Sequence, residues 1–125
     1  MHKMNVKTKY YNLLESGEKT IELRLFDEKR QKIKIGDKII FSDSSDNTRT
    51  FNAVVVNLYQ AKNFNELCNI ITPKQAGFSS AKELIQTLED FYSPDSQEKF
   101  GVVGIEIKKA ISYEASKLHK DSPFT

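Results

Sequence analysis

From Thr20 to Leu25 apolar and polar residues alternate without a break, Ile21, Leu23 and Leu25 on one parity and Thr20, Glu22 and Arg24 on the other. A period of two predicts a strand with one face on a core and one polar face, so Glu22 and Arg24 share a face. Ahead of it, Tyr10 and Leu14 at i,i+4 and Tyr11 and Leu14 at i,i+3 predict a helix over residues 9–16. Thr8 is its expected N-cap and Gly17 the following residue able to take positive φ. The helix therefore leads straight into Gly17-Glu18-Lys19-Thr20-Ile21-Glu22-Leu23-Arg24. Met4 and Val6 share a parity in a short opening strand over residues 3–6.

Further along, Asp27-Glu28-Lys29-Arg30-Gln31-Lys32 reads as a solvated turn, and Ile33 and Ile35 alternate with Lys34 up to Gly36-Asp37. A strand begins at Lys38, with Ile39 and Phe41 on one face, and Asp43-Ser44-Ser45-Asp46-Asn47 forms a hairpin loop. Residues 50–59 are the most β-rich run and predict a long central strand. Asn63 or Asn65 caps a short helix through Ile71, closed by Pro73. Ser80 and Glu83 have capping-box spacing at the head of a helix through Tyr92, with Leu84, Ile85, Leu88 and Phe91 as its buried stripe. Ser93-Pro94-Asp95-Ser96 reads as a turn, and residues 100–107 as the last strand. Beyond Lys108 the apolar positions lose their period, leaving a frayed tail or a peripheral helix. Strands outnumber helices, and the helices cluster before the last strand, which favours a curled α+β domain over an alternating α/β sheet.

Composition narrows this to one domain over residues 1–108 with a tail over 109–125: 125 residues can bury a core unaided, and eight Phe and five Tyr supply bulk for it. Cys68 is the only cysteine, excluding an internal disulfide and any multi-cysteine metal site, as expected in a reducing cytoplasm. It is read as core rather than nucleophile. No apolar run reaches the roughly 20 residues that span a bilayer, so no membrane partner is expected. No cofactor or metal is expected either; Asp43, Asp46 and Asn47 lack calcium-loop spacing.

The net charge of +2 is unevenly spread, with ten Lys/Arg against six Asp/Glu in residues 1–38 and five against eight in residues 39–105. A basic first third on a nearly neutral domain suits a local anionic site rather than a coat for a polyanion. Within that segment Lys19 offers a point charge, Arg24 a planar fork suited to phosphate, and Glu22 a group that orients cations or accepts from a base's amine. Taken by themselves, Glu22 and Arg24 read first as a solvated strand face carrying an ion pair of small value. Lys19 has the parity of Ile21 and Leu23, so it joins Glu22 and Arg24 only if the regular strand starts after it. His2 and His119, in the two ends, are expected to be surface residues.

The pattern Gly17-x-Lys19-Thr20-x-Glu22-x-Arg24, followed by Ile35-Gly36-Asp37-Lys38-Ile39-Ile40-Phe41 and a closing strand Phe100-Gly101-Val102-Val103-Gly104-Ile105-Glu106-Ile107, resembles the ASCH domain family. The resemblance implies a PUA-like small β-barrel with flanking helices, and a cleft lined by the motif that binds RNA or a modified, nucleotide-like ligand. Carried over by position, Lys19, Glu22 and Arg24 are the binding candidates, with Thr20 and Arg30 beside them; Tyr92 or Phe100 would add stacking. One branch looks like amidohydrolases acting on N4-acetylcytidine through the motif Lys, a Thr at the acidic position and a Glu ahead of the late helix. Here Glu22 replaces that Thr, and the point ahead of the late helix falls at Gly77 or its neighbours, where no carboxylate stands. A ribonuclease is a second enzymatic alternative, and a protein partner docking on the barrel edge or on residues 111–125 a non-enzymatic one.

Overall fold

The structure, a computed structural model, describes residues 1–110. Strand β1 (His2–Val6) is followed by helix α1 (Thr8–Ser16), β2 (Ile21–Leu25), β3 (Lys38–Asp43), β4 (Asp46–Ala61), α2 (Phe64–Leu67), α3 (Ala81–Phe91), α4 (Pro94–Phe100) and β5 (Val102–Lys109). The five strands make one curled sheet in the order β1-β3-β4-β5-β2, parallel at β1/β3 and antiparallel elsewhere. It is a half-barrel of the expected α+β class, in which β1 and β2 are the two edges. The Arg24 guanidinium crosses from one edge to the other, Nη2 donating to the Asn5 carbonyl at 3.1 Å.

Two hydrophobic clusters lie on opposite faces of the sheet. The inner one joins Met4, Val6, Ile39, Phe41, Ala53, Val55, Val103, Ile105 and Ile107 with Tyr11 and Leu14 of α1. The outer one places Ile21, Leu23 and Val102 under Phe64, Leu67, Leu84 and Leu88 of the helical layer. Cross-strand partners share a face, and β2 is registered so that Glu22 lies opposite Ile105 and Arg24 opposite Val103. The polar face of β2 therefore points into the curl, and its apolar face points out beneath the helices. Glu22 is 6% exposed, so the solvated-face reading of this strand does not hold. Gly104 makes the outer packing possible: a Cβ there would stand 3.0 Å from Ile21 Cγ2.

Several local expectations change. Thr8 opens α1 without capping it, because its hydroxyl donates to buried Asp43 at 2.6 Å and so fastens the helix to the β3–β4 turn. That turn is only Ser44-Ser45 wide, and β4 starts at Asp46, bending at a bulge around Val56. Ile35 is 63% exposed, since Asp37 accepts the Lys34 N–H and folds residues 34–37 into a turn. Asn63, rather than Asn65, caps a helix of one turn. Ser93-Pro94 opens α4 instead of forming an isolated turn: the Ser93 hydroxyl accepts from the Ser96 N–H, with Pro in the first turn where it lacks no needed donor. Phe100 consequently ends a helix and does not start β5. Cys68 packs beside the outer cluster, where burial pushes its thiol pKa up. His2 is half-buried, its Nε2 2.8 Å from Asp37 Oδ2, while His119 and the tail reading lie outside the described residues.

Candidate functional site

Gly17 ends α1 at φ 84°, its N–H donating to the Leu14 carbonyl, and the Lys19 N–H then donates to Leu13 O at 3.0 Å. Thr20 donates to Gln75 O and accepts from the Ile107 N–H, each at 2.9 Å, so it is held by backbone on both sides before β2 begins at Ile21. Lys19 is thereby freed from the strand's alternation, which is the condition for it to reach its motif partners.

The side chains of Lys19, Glu22 and Arg24 converge. Lys19 Nζ is 2.9 Å from Glu22 Oε1, and Arg24 donates to Glu22 Oε2 through Nε at 3.0 Å and Nη2 at 2.8 Å. Burial by itself would raise the Glu22 pKa, but the Lys19 and Arg24 charges and their hydrogen bonds outweigh it and hold the carboxyl down to about 2. For Arg24, burial works against the charge, and Glu22 overcomes it, so its pKa lies above the ordinary value. The trio carries one negative and two positive charges, leaving a buried excess of one cation.

A pocket of about 320 Å³ opens over this trio at the seam between the sheet edges. Its walls are Asn5, Val6 and Lys7 on one side, Glu22, Leu23 and Arg24 on the other, and Tyr10, Phe78, Phe91 and Tyr92 around them. Lys19 sits at the back, 3% exposed, with Nζ 4.8 Å from the Tyr10 ring centre and 5.9 Å from that of Phe78, within cation–π range. Gly77, at φ 87°, backs the lysine stem so closely that a Cβ would meet Lys19 Cδ at 3.1 Å. At the mouth Phe91 is 50% exposed with Lys7 Nζ 4.4 Å from its centroid, so it does not belong to the buried stripe of α3. The Tyr10 hydroxyl pKa is raised, first by burial and then by the Glu83 and Glu22 charges.

Lys19, Glu22 and Arg24 are thus brought together, and Tyr92 joins them. Thr20 and Arg30 are not among the lining residues: Thr20 is committed through its backbone, and Arg30 is paired with Asp27 at 3.1 Å on a turn after β2. Phe100 lines a separate, wider groove of about 1210 Å³ with Lys62, Asn63 and Lys99, which contains none of the motif residues. Tyr10, Phe78, Phe91 and Lys7 also line this pocket and are not singled out by pattern reasoning, since helical spacing uses Tyr10 only to mark α1, places Phe91 on a buried stripe, and nothing local marks the others.

Comparison with known proteins bears on the same residues. Residues 4–111 match the family profile described as ASCH domain. Among solved structures, a crystal structure of hypothetical protein PH0355 is similar with a TM-score of 0.76 and 32% identity, covering 86% of this chain and 97% of that one. The solution NMR structure of Protein PF0455 from Pyrococcus furiosus is similar with a TM-score of 0.70 and 30% identity, over 89% and 98% of the two chains. No curated protein matches the chain. With the profile spanning motif, half-barrel and closing strand alike, this chain belongs to the ASCH domain family.

Proposed function

We propose that this protein is a binding module whose seam pocket takes one nucleotide of a single-stranded RNA, or a modified nucleotide. The observation that carries the reading is the buried cationic trio at the back of an aromatic-walled pocket. Lys19 uses one of its three donors on Glu22 and keeps two for a ligand acceptor. Glu22 orients both cations. The Arg24 fork is engaged by Glu22 and by Asn5 across the seam, so Arg24 acts chiefly by fixing the pocket's shape. Phosphate contact falls instead to exposed Lys7 at the mouth, where Phe91 and Tyr92 provide ring faces for base stacking. About 320 Å³ is near the lower end of the ~300–1,000 Å³ usual for small-molecule sites, a size for one nucleoside and not a run of them.

The hydrolase alternative lacks support from this geometry. Among the described residues lining the pocket, Glu22 is the one carboxylate, and both its oxygens are held by cations, so it makes a poor general base. A fluorescent single-stranded RNA titrated at low and raised salt tests the binding reading. Binding at low salt, weakened by added salt and by Lys7→Ala or Phe91→Ala, is expected. Absence of binding at low salt, or indifference to both substitutions, overturns it.

A further inference from the structure

The half-barrel leaves two strand edges facing one another across the pocket, and hydrogen-bond parity shows which main-chain groups they present. Flanking β2, Thr20 accepts from the Ile107 N–H and the Phe26 N–H donates to Gly101 O, each at 2.9 Å. Both residues lie on the parity of Glu22 and Arg24, so those residues turn their N–H and C=O toward β5. Ile21, Leu23 and Leu25 turn theirs the opposite way, toward the open edge. Of these three only Leu23 lines the pocket. In β1, Val6 O accepts from the Ser44 N–H at 2.8 Å, so Asn5 must face away from β3, as the Arg24 bond to Asn5 O requires.

Leu23 is 4% exposed, and among the described residues no group outside the sheet bonds its N–H or C=O. Buried main-chain groups without partners are rare and costly. Leu23 lines the same pocket as Lys19, whose ammonium has two donors beyond the one on Glu22, and the pocket's side walls are aromatic. Resting on the nucleotide-binding reading above, we infer that the pocket reads an unpaired, carbonyl-bearing pyrimidine through its Watson–Crick edge, with the Leu23 main chain as the reader. A base offers adjacent donor and acceptor on that edge, complementary to the Leu23 C=O and N–H, and a ring carbonyl accepts from Lys19 Nζ. The ring then stands in for the strand pairing that the open seam lacks, with the Asn5 N–H opposite. A paired base has this edge occupied, which makes the site selective for single strands.

The test is amide NMR on the full chain, titrated with uridine, cytidine, their N3-methyl derivatives, adenosine, guanosine, ribose 5-phosphate and a short pyrimidine RNA with and without its complement. Uridine or cytidine is expected to shift the Leu23 and Asn5 amides, and N3-methylation to weaken binding on the order of tenfold or more. Equal binding by the free nucleoside and by the RNA identifies the base alone as the ligand; much tighter binding by the RNA identifies a residue within a strand. Either supports the inference. It is overturned if N3-methyl forms bind equally, if ribose 5-phosphate reproduces the shifts, if only purines bind, or if the duplex binds as well as the single strand. RNA binding with unmoved Leu23 and Asn5 amides also overturns it while leaving the binding function standing. Absence of binding by any of these probes removes both.

Discussion

Glu22 is the residue on which the site's electrostatics turn. Its carboxyl pKa of about 2 lies below the ordinary 4.5, so its contribution to stability is complete above the unfolded value and lost as pH falls toward 2. A shift of that size corresponds to roughly 3 kcal/mol. Urea denaturation of Glu22→Gln should show a loss of about that magnitude at pH 7, because two buried cations lose their counter-ion, with the gap to the native chain closing between pH 5 and pH 2. A pH-independent gap would mean that packing, not charge, sets the cost. Gly77 is the other sensitive position: Gly77→Ala forces a side chain into positive φ against Lys19 Cδ. A cost of about 1–2 kcal/mol in thermal unfolding is expected, together with weakened RNA binding through a displaced Lys19.

At the scale of elements, β2 was legible as a strand and its two faces were legible as faces, since Ile21-Glu22-Leu23-Arg24-Leu25 has one reading by period. Which face met water was not legible. Alternation separates two sides of a strand but does not say that the outer side lies beneath helices, and here α2 and α3 cover it. The same packing makes Gly104→Ala a measurable perturbation. Its Cβ would approach Ile21 Cγ2 at 3.0 Å beneath Leu67, and an overpacked core of this kind costs about 1–3 kcal/mol, read as a lower urea midpoint with unchanged m. Helix α4 was misread for a different reason. Ser93-Pro94-Asp95-Ser96 satisfies both a turn and a capped helix start, and only the residues after it decide which continues.

For the whole molecule the decisive feature is the open seam. Arg24 bridges it at one point, leaving the pocket beside the bridge. Substitutions at the mouth should separate binding from folding: Lys7→Ala and Phe91→Ala are expected to change the thermal midpoint little, because Lys7 is exposed and Phe91 half so, while RNA affinity falls several-fold. A large loss of stability in either variant would instead assign these residues to the fold. The wider groove at Phe100 offers a control, since Lys99→Ala there should leave RNA affinity unaltered.

The amino-acid sequence alone determined the α+β class, the strand at residues 21–25, the helix leading into it and the membership of Lys19, Glu22 and Arg24 in one motif. The elements depend on local periodicity and a positive-φ glycine, which are short-range properties, and the motif on its resemblance to the ASCH domain family. Only the tertiary structure decided that the charged face of β2 turns inward, that Lys19 leaves the strand's parity to join it, and that Tyr10, Phe78 and Phe91 wall the pocket. Those facts follow from sheet order and cross-strand register, through which β5, some 80 residues away in the chain, sets the direction in which Glu22 points.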